Sequence, residues 1–573
     1  MIRISKLMPM AAAAACLTLW LGGSPFGSGP GAYADPSLAA TAPSAVTRRI
    51  SEEQYRQIIA DVFGTSIKVG GRFEPEIRRD GLLAVGAGQI SVTPSGLEQY
   101  ATMAHNIAGQ VVSDEHRRTL LPCKPADARA ADDACAKRFL ADVGRYLFRR
   151  PLKAEELDSR VAIASSTAKA LHDFYAGLSE ALSTILVSPN FLFRKETVEP
   201  DPEHPGQYRL DGYSKASQLS FFLWNSVPDR ELLAAAEKGD LNARDGLDRQ
   251  VDRMIASPRL EAGVRAFFSD MLGFDEFSTL SKDPVIYPKF GFQVIEDARE
   301  QTLRTIVDHL LRRQGDYRDL FTTPNTFLTA RLGSIYGVPV VSPDGWPDAW
   351  VPYAYPQGDP RAGILAQVSF VAIHAHPGRS SPTLRGKALR ELVLCQKVPS
   401  PPPNVNFTLV NDVKNSEFKT ARERLTAHRT EPTCAGCHKI MDPIGLGMEN
   451  FDSDGEFRLR ENGVAIDTSG ELDGMKFTDP VGLDKAVHDD PATPACLVNK
   501  VYAYAAGRDP AKSEAEWMKS LGQSFAEEGY KVPALLKTIA TSDELYRVGP
   551  TAMGAVDIPR AKLASGKQEE EQR

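Results

Sequence analysis

Cys434-Ala435-Gly436-Cys437-His438 runs directly into Met441-Asp442-Pro443-Ile444-Gly445, and how this stretch is read settles the nature of the C-terminal third of the chain. C-x-x-C-H is the covalent attachment signature for haem c. Two thiols three positions apart can each add across a vinyl group of the ring. The adjacent histidine then meets the iron as proximal ligand, and its surroundings help to set the potential. The motif therefore calls for Cys434, Cys437 and His438 as haem c ligands, and for a compartment in which such attachment takes place.

The N-terminus supplies that compartment. Arg3 and Lys6 precede an uncharged apolar run from Leu7 to Leu21, and Ala32-Tyr33-Ala34 forms an A-x-A cleavage signal. Residues 1–34 read as a signal peptide, which makes the protein an exported one of the periplasm or cell surface. A lipoprotein reading through Cys16 lacks the larger apolar residue expected upstream. Elsewhere no run approaches the ~18 apolar residues of a transmembrane span.

Export also orders the cysteines. Once Cys16 and the two of the motif are set aside, Cys123, Cys135, Cys395 and Cys496 remain. In an oxidising compartment they read as two disulfides, with three connectivities open. We favour Cys123 with Cys135 across a short loop, and Cys395 with Cys496 across the haem motif. The rival is a zinc site of Cys434 and Cys437 with two of the others, which needs neither His438 nor export.

Composition is that of a globular protein: 42% hydrophobic, 25% charged, net charge −7. Basic residues are scattered, so no nucleic acid partner is expected. The chain contains no G-x-S-x-G, H-E-x-x-H or P-loop lysine pattern, which removes the commonest hydrolytic constellations.

Apolar spacing is helical far more often than alternating. Phe139, Leu140, Val143, Tyr146 and Leu147 share one helical face; so do Phe174, Leu178, Leu182, Ile185 and Leu186, and again Leu303, Ile306, Val307, Leu310 and Leu311. Pro533 suits the first turn of another helix. A short β-hairpin is expected over Gly463 to Leu472. The fold class is mainly α: a multi-module helical protein with a small C-terminal haem c segment. Pro200 to Gly206, Tyr353 to Asp359 and the extended proline-rich run Pro399 to Pro403 punctuate it.

Several stretches resemble a family of exported, planctomycete-type cytochrome c-like proteins built from five consecutive domains of unknown function. Arg48-Arg49-Ile50 and Gln54-Tyr55 are similar to its first module, and Phe148-Arg149-Arg150-Pro151-Leu152 with Ser188-Pro189-Asn190-Phe191-Leu192 to its second. Leu219 to Asn225, Pro228-Asp229 and Tyr336-Gly337 resemble the third. Arg361 to Leu365, Ser381-Pro382-Thr383-Leu384-Arg385-Gly386 and the haem motif with Glu449 to Asp452 resemble the fourth. Tyr504 to Arg508 and Thr541-Ser542 resemble the fifth. The resulting division is a signal peptide (1–34), helical modules at 46–112, 123–197 and 208–340, a haem-bearing module at 360–460, a C-terminal helical module at 463–548 and a disordered tail at 551–573. The resemblance implies a haem group in an exported protein and leaves its reaction open.

For the sixth iron ligand the candidates are His374, His376, His428, Met441 and Met448. Two histidines at i and i+2 would point the same way in an extended segment, so His376 is taken as the distal ligand with His374 beside it, and Met448 as second choice. Arg385 and Arg458 are candidate propionate partners, since guanidinium matches a carboxylate bidentately. A backbone carbonyl at Asp442-Pro443 is expected against the imidazole of His438. Asn450, Asp452, Asp454 and Glu461, with Gly455, have the spacing of a calcium loop; a solvated acidic turn is the alternative. Together these features point to electron transfer with an unidentified redox partner or substrate. A peroxidase-like haem oxidoreductase and an envelope-binding protein with a minor haem domain are the alternatives.

Overall fold

The computed structural model describes residues 43–342, 345–399, 417–428 and 432–549, with the side chains of 427–428 and 432–434 left aside. The expected signal peptide and tail, Ser400 to Pro403, and the side chains of His428 and Cys434 lie outside the described residues. The chain is mainly helical, and its apolar side chains gather into two cores rather than one for each module.

The first core lies among the helices Glu52–Phe63, Pro94–Val111, Asp133–Leu147, Ala154–Leu171 and Phe174–Leu186. Ser51 starts the first of these with a capping box: its hydroxyl accepts from Gln54 N, and its own N–H donates to Gln54 Oε1. Phe139, Leu140, Val143 and Leu147 are buried on one face, with Tyr146 half-buried at its margin. Phe174, Leu178, Leu182, Ile185 and Leu186 are buried likewise. After the Asp133–Leu147 helix the chain turns through Arg149 at φ 57°. The Arg149 guanidinium is buried and donates to the carbonyls of Leu147, Asn190, Phe191 and Phe193, at 2.6–3.2 Å. Burial and the neighbouring Arg150 hold its pKa down at about 9. That arginine fastens one end of the second module to the other, and the Cys123–Cys135 disulfide ties the preceding loop to the first turn of its helix.

The second core is larger and takes in most of the buried apolar side chains from Leu210 onward, together with Leu82 and Val85 from the first module. The face expected near residues 303–311 belongs to a longer helix, Phe292–Val307, that runs into a π turn over Asp308–Arg312. Pro533 sits in the first turn of the Val532–Ala540 helix. Phe221 and Val227 of the third module pack into the first core, so the two cores interlock. Short strands close the chain on itself. Thr47–Arg49 pairs with Phe193–Lys195, and Tyr208–Leu210 pairs with both Val198–Pro200 and Arg547–Val548. Among the described residues no helix is long and apolar enough to cross a membrane.

Where one hairpin was expected over Gly463 to Leu472, the chain forms two, Arg460–Glu461 with Val464–Ala465 and Gly470–Leu472 with Met475–Phe477. Their tips are Asn462-Gly463 and Asp473-Gly474, all four residues at positive φ. Such turns match the twist of paired strands, and they set the register that the weak alternation left open.

Candidate functional site

The C-x-x-C-H residues open the helix Pro432–Leu446, which lies against the short helix Pro382–Ala388. Two glycines bring their backbones together. A Cβ on Gly386 would overlap the carbonyl of Met441, and one on Gly445 would overlap that of Pro382. At this closeness Thr383 Oγ1 donates to Asp442 Oδ1 across the pair, at 2.9 Å. Asp442 is wholly buried, and its carboxylate lies 2.9–3.0 Å from His438 Nδ1. The expected carbonyl partner is thus replaced by a side chain. Residues i and i+4 stack on one helical face, so the carboxylate of Asp442 reaches the ring. A carboxylate on Nδ1 fixes the tautomer and directs the coordinating lone pair to Nε2.

Cys437 is half-buried, with Sγ 4.0 Å from the Pro399 carbonyl, and it is a free thiol. The other four cysteines outside the N-terminal segment and the motif are joined, Cys123 to Cys135 and Cys395 to Cys496. The second bond fastens the end of the π turn Leu389–Val393 to the helix Ala492–Ala506, and so spans the motif helix in sequence. Cys437 and His438 therefore remain as a thiol and an oriented imidazole on one helix, with Cys434 one turn earlier. This donor set fits the attachment side of haem c.

Arg385 and Arg458 are built into the protein instead of facing outward. Arg385 is completely buried, and its guanidinium donates to the carbonyls of Val371, Met448, Phe451 and Asp452 at 2.7–3.2 Å. Its two terminal nitrogens are thus turned to carbonyls of the protein, while its Nε is buried without a partner. Arg458 donates to Asp452 Oδ2 at 2.9 Å and Ser380 Oγ at 2.9 Å, and lies 3.3 Å from Glu449 Oε2. Burial pushes the Glu449 carboxyl up, while Arg458 and Arg385 pull it down.

The acidic loop is likewise turned to internal donors. Asp452 also accepts from Tyr287 Oη, Asp454 from the N–H of Glu456, and Glu461 from Arg424 and the N–H of Ala421. Asn450 donates to the Arg458 carbonyl, and Gly455 turns at φ 93°. Among the described residues no three His, Cys, Asp or Glu side chains gather as a metal-holding group.

The two histidines do not share an extended segment. His374 ends the helix Val368–Ile373, with its ring 4.8 Å from that of Phe370 and its Nε2 buried without a partner. His376 opens a tight bridge to Arg379, and its carbonyl accepts from Ser453 Oγ and Lys282 Nζ. Lys282 also donates to the Ala372 carbonyl, which is why the backbone curls around it. Burial, with Arg385 and Lys282 nearby, pushes His374 down to about 3; burial, with Arg379 and Lys282, pushes His376 down to about 4. Both rings are neutral at pH 7, the form in which imidazole binds a metal. Met448 is packed in the second core with Ile444 and Phe451, and Met441 is buried too. Sequence reading missed Asp442 and Thr383 as supports of His438, although the i,i+4 spacing to Asp442 was there to be seen.

Five stretches match families each described as a protein of unknown function. In chain order they are DUF1587 at residues 48–113, DUF1595 at 135–196, DUF1592 at 210–338, DUF1588 at 361–461 and DUF1585 at 473–545. The candidate site falls wholly within the fourth. No curated protein and no solved structure matches the chain.

Proposed function

Taking the chain as five consecutive domains of these families, we propose that it is an exported c-type haem protein of the periplasm or cell surface, serving electron transfer. One observation carries this reading. A free thiol, Cys437, directly precedes a histidine anchored by a buried carboxylate, in a chain whose other described cysteines are all paired. Bound at Cys434, Cys437 and His438, haem c would supply reversible one-electron chemistry. Asp442 keeps the Nδ1 proton of His438, and Thr383 keeps Asp442 in place. Gly386 and Gly445 let the two helices meet closely enough for that chain of bonds to form.

The same carboxylate favours a second reading, a peroxidase-like oxidoreductase. A carboxylate gives imidazole more anionic character than a carbonyl does, and a more basic ligand stabilises oxidised iron. Visible spectra in both redox states, on protein exported from a host that matures cytochromes c, decide between them. A low-spin spectrum with no response to carbon monoxide supports electron transfer. A high-spin spectrum that shifts with carbon monoxide or peroxide supports the open site. No haem at all would overturn both. In the low-spin case His376→Ala should convert the spectrum to high spin; an unchanged spectrum removes His376 as the distal ligand.

A further inference from the structure

A cavity of about 930 Å3 lies where the first three modules and the fifth meet, well away in sequence from the C-x-x-C-H helix. Arg48, Arg49 and Gln54, Phe221, Phe222 and Asn225, and Tyr504 all contribute to its lining, so stretches singled out in the first, third and fifth modules converge there although none serves the haem motif. Its walls carry many charges, and most are satisfied internally. Arg48 pairs with Glu196, Arg49 donates to the carbonyls of Glu74, Pro75 and Ser91, and Asp270 accepts from Arg78 and the N–H groups of Leu83 and Ala84.

Two cations are not satisfied. The Arg194 guanidinium lies over the Phe221 ring at 4.2 Å and makes no hydrogen bond or ion pair among the described residues; its Nε is buried and unpartnered. Arg299, on the helix Phe292–Val307, has a buried, unpartnered Nε as well, and no carboxylate within ion-pair reach among the described residues. Both residues are half-buried, and a guanidinium whose N–H groups are withdrawn from water is costly unless something pairs with it. The cavity also presents hydroxyl-binding groups without partners. Among the described residues the side chain of Glu53, an exposed residue, makes no hydrogen bond, nor does the Tyr504 hydroxyl, and Ser269 Oγ is buried and unpartnered. Burial raises the Tyr504 hydroxyl, and Glu53, Arg194, Ser269 and Tyr504 all line the same cavity. Unpaired arginine forks suit a carboxylate, and unpaired oxygens suit hydroxyls. The volume is that of a small-molecule site.

We propose that this cavity binds a small hydroxylated organic acid, its carboxylate on Arg194 and its hydroxyls on Glu53, Ser269 and Tyr504, with Arg299 completing the charge. The proposal does not depend on the haem.

Isothermal titration of the full chain, with or without haem, tests it. The probes are D-galacturonate and D-gluconate, their neutral counterparts D-galactose and sorbitol, and inorganic phosphate. The expected result is binding of at least one acid, about tenfold or more tighter than its neutral counterpart, as a charge-assisted pair requires. Arg194→Gln should abolish that preference. Arg299→Gln, on a half-buried helical position, should weaken the acid several-fold with the melting temperature unchanged, and it stands alone if Arg194→Gln does not fold. The proposal is overturned if no acid binds at millimolar concentration, if the neutral sugars bind equally well, if phosphate binds more tightly than the acids, or if Arg299→Gln leaves acid binding unaltered.

Discussion

Within the Pro432–Leu446 helix the decisive groups lie a few residues apart: Cys437, His438 and Asp442 belong to little more than one turn, and a single neighbouring helix supplies Thr383. The cavity that holds Arg194 and Arg299 is assembled the other way, from residues that approach only when four modules pack together. A local site needs one helix pair to be right. An assembled site needs both cores, the strand pairing of Thr47–Arg49 with Phe193–Lys195 and the interlocking of Phe221 with the first core. The two should therefore fail independently when single groups are changed, and together when the scaffold is.

The largest separation is expected from Cys437→Ala. Covalent haem, read by peroxidase staining of a denaturing gel, should fall sharply or vanish, while melting temperature and acid binding in the cavity stay as in the wild type. Full staining in the variant would break the assignment of Cys437. Next comes the paired change of Cys395 and Cys496 to Ser, which opens a loop of about 100 residues. It should cost about 4–5 kcal/mol in urea unfolding, against about 3 for Cys123 with Cys135, whose loop is far shorter. Equal losses would mean that the longer link does little to hold the motif region on the fifth module. Gly386→Ala should destabilise by about 3 kcal/mol, because its methyl would meet the Met441 carbonyl and push the helices apart. It should also lower haem incorporation and leave the cavity intact; normal stability would show that the close approach is not required.

The smallest effect lies in the second module, at a partly exposed ion pair. Arg150 holds Glu156 in a bidentate pair, which, with a hydrogen bond from the N–H of Lys153, draws the Glu156 carboxyl down to about 2. The folded pKa is depressed, so the stabilisation is present above the unfolded value of 4.5 and is lost as pH falls toward 2. Glu156→Gln should cost about 1–2 kcal/mol at pH 7 after allowance for solvent screening, and almost nothing near pH 2. A cost independent of pH would mean that the pair acts by shape and not by charge.

How much of this was legible in the chain differs between the two regions for a physical reason. The helices of Phe139 and Phe174 could be read because a 3.6-residue period lies within each segment, and both faces are buried. The hairpins were partly legible. Asn462-Gly463 and Asp473-Gly474 announce the turns, but strands of two or three residues give too little alternation to place them. Asp442 was legible as an i+4 neighbour of His438, yet its complete burial against Thr383 depends on two glycines of different helices. Arg385 reads as a candidate propionate partner because sequence does not reveal carbonyls that converge on it from Val371, Met448 and Phe451. The cavity was not legible, since Arg194 and Arg299 carry no local pattern and come to line one cavity with Tyr504 only through tertiary packing.

The most direct measurement is the intact mass, under denaturing conditions, of the protein exported from a host that matures cytochromes c, followed by peptide mapping. The expected result is the polypeptide plus one haem, carried on the peptide that contains Cys434 and Cys437. A mass equal to the bare polypeptide, or a disulfide between those two cysteines in its place, would contradict the haem assignment.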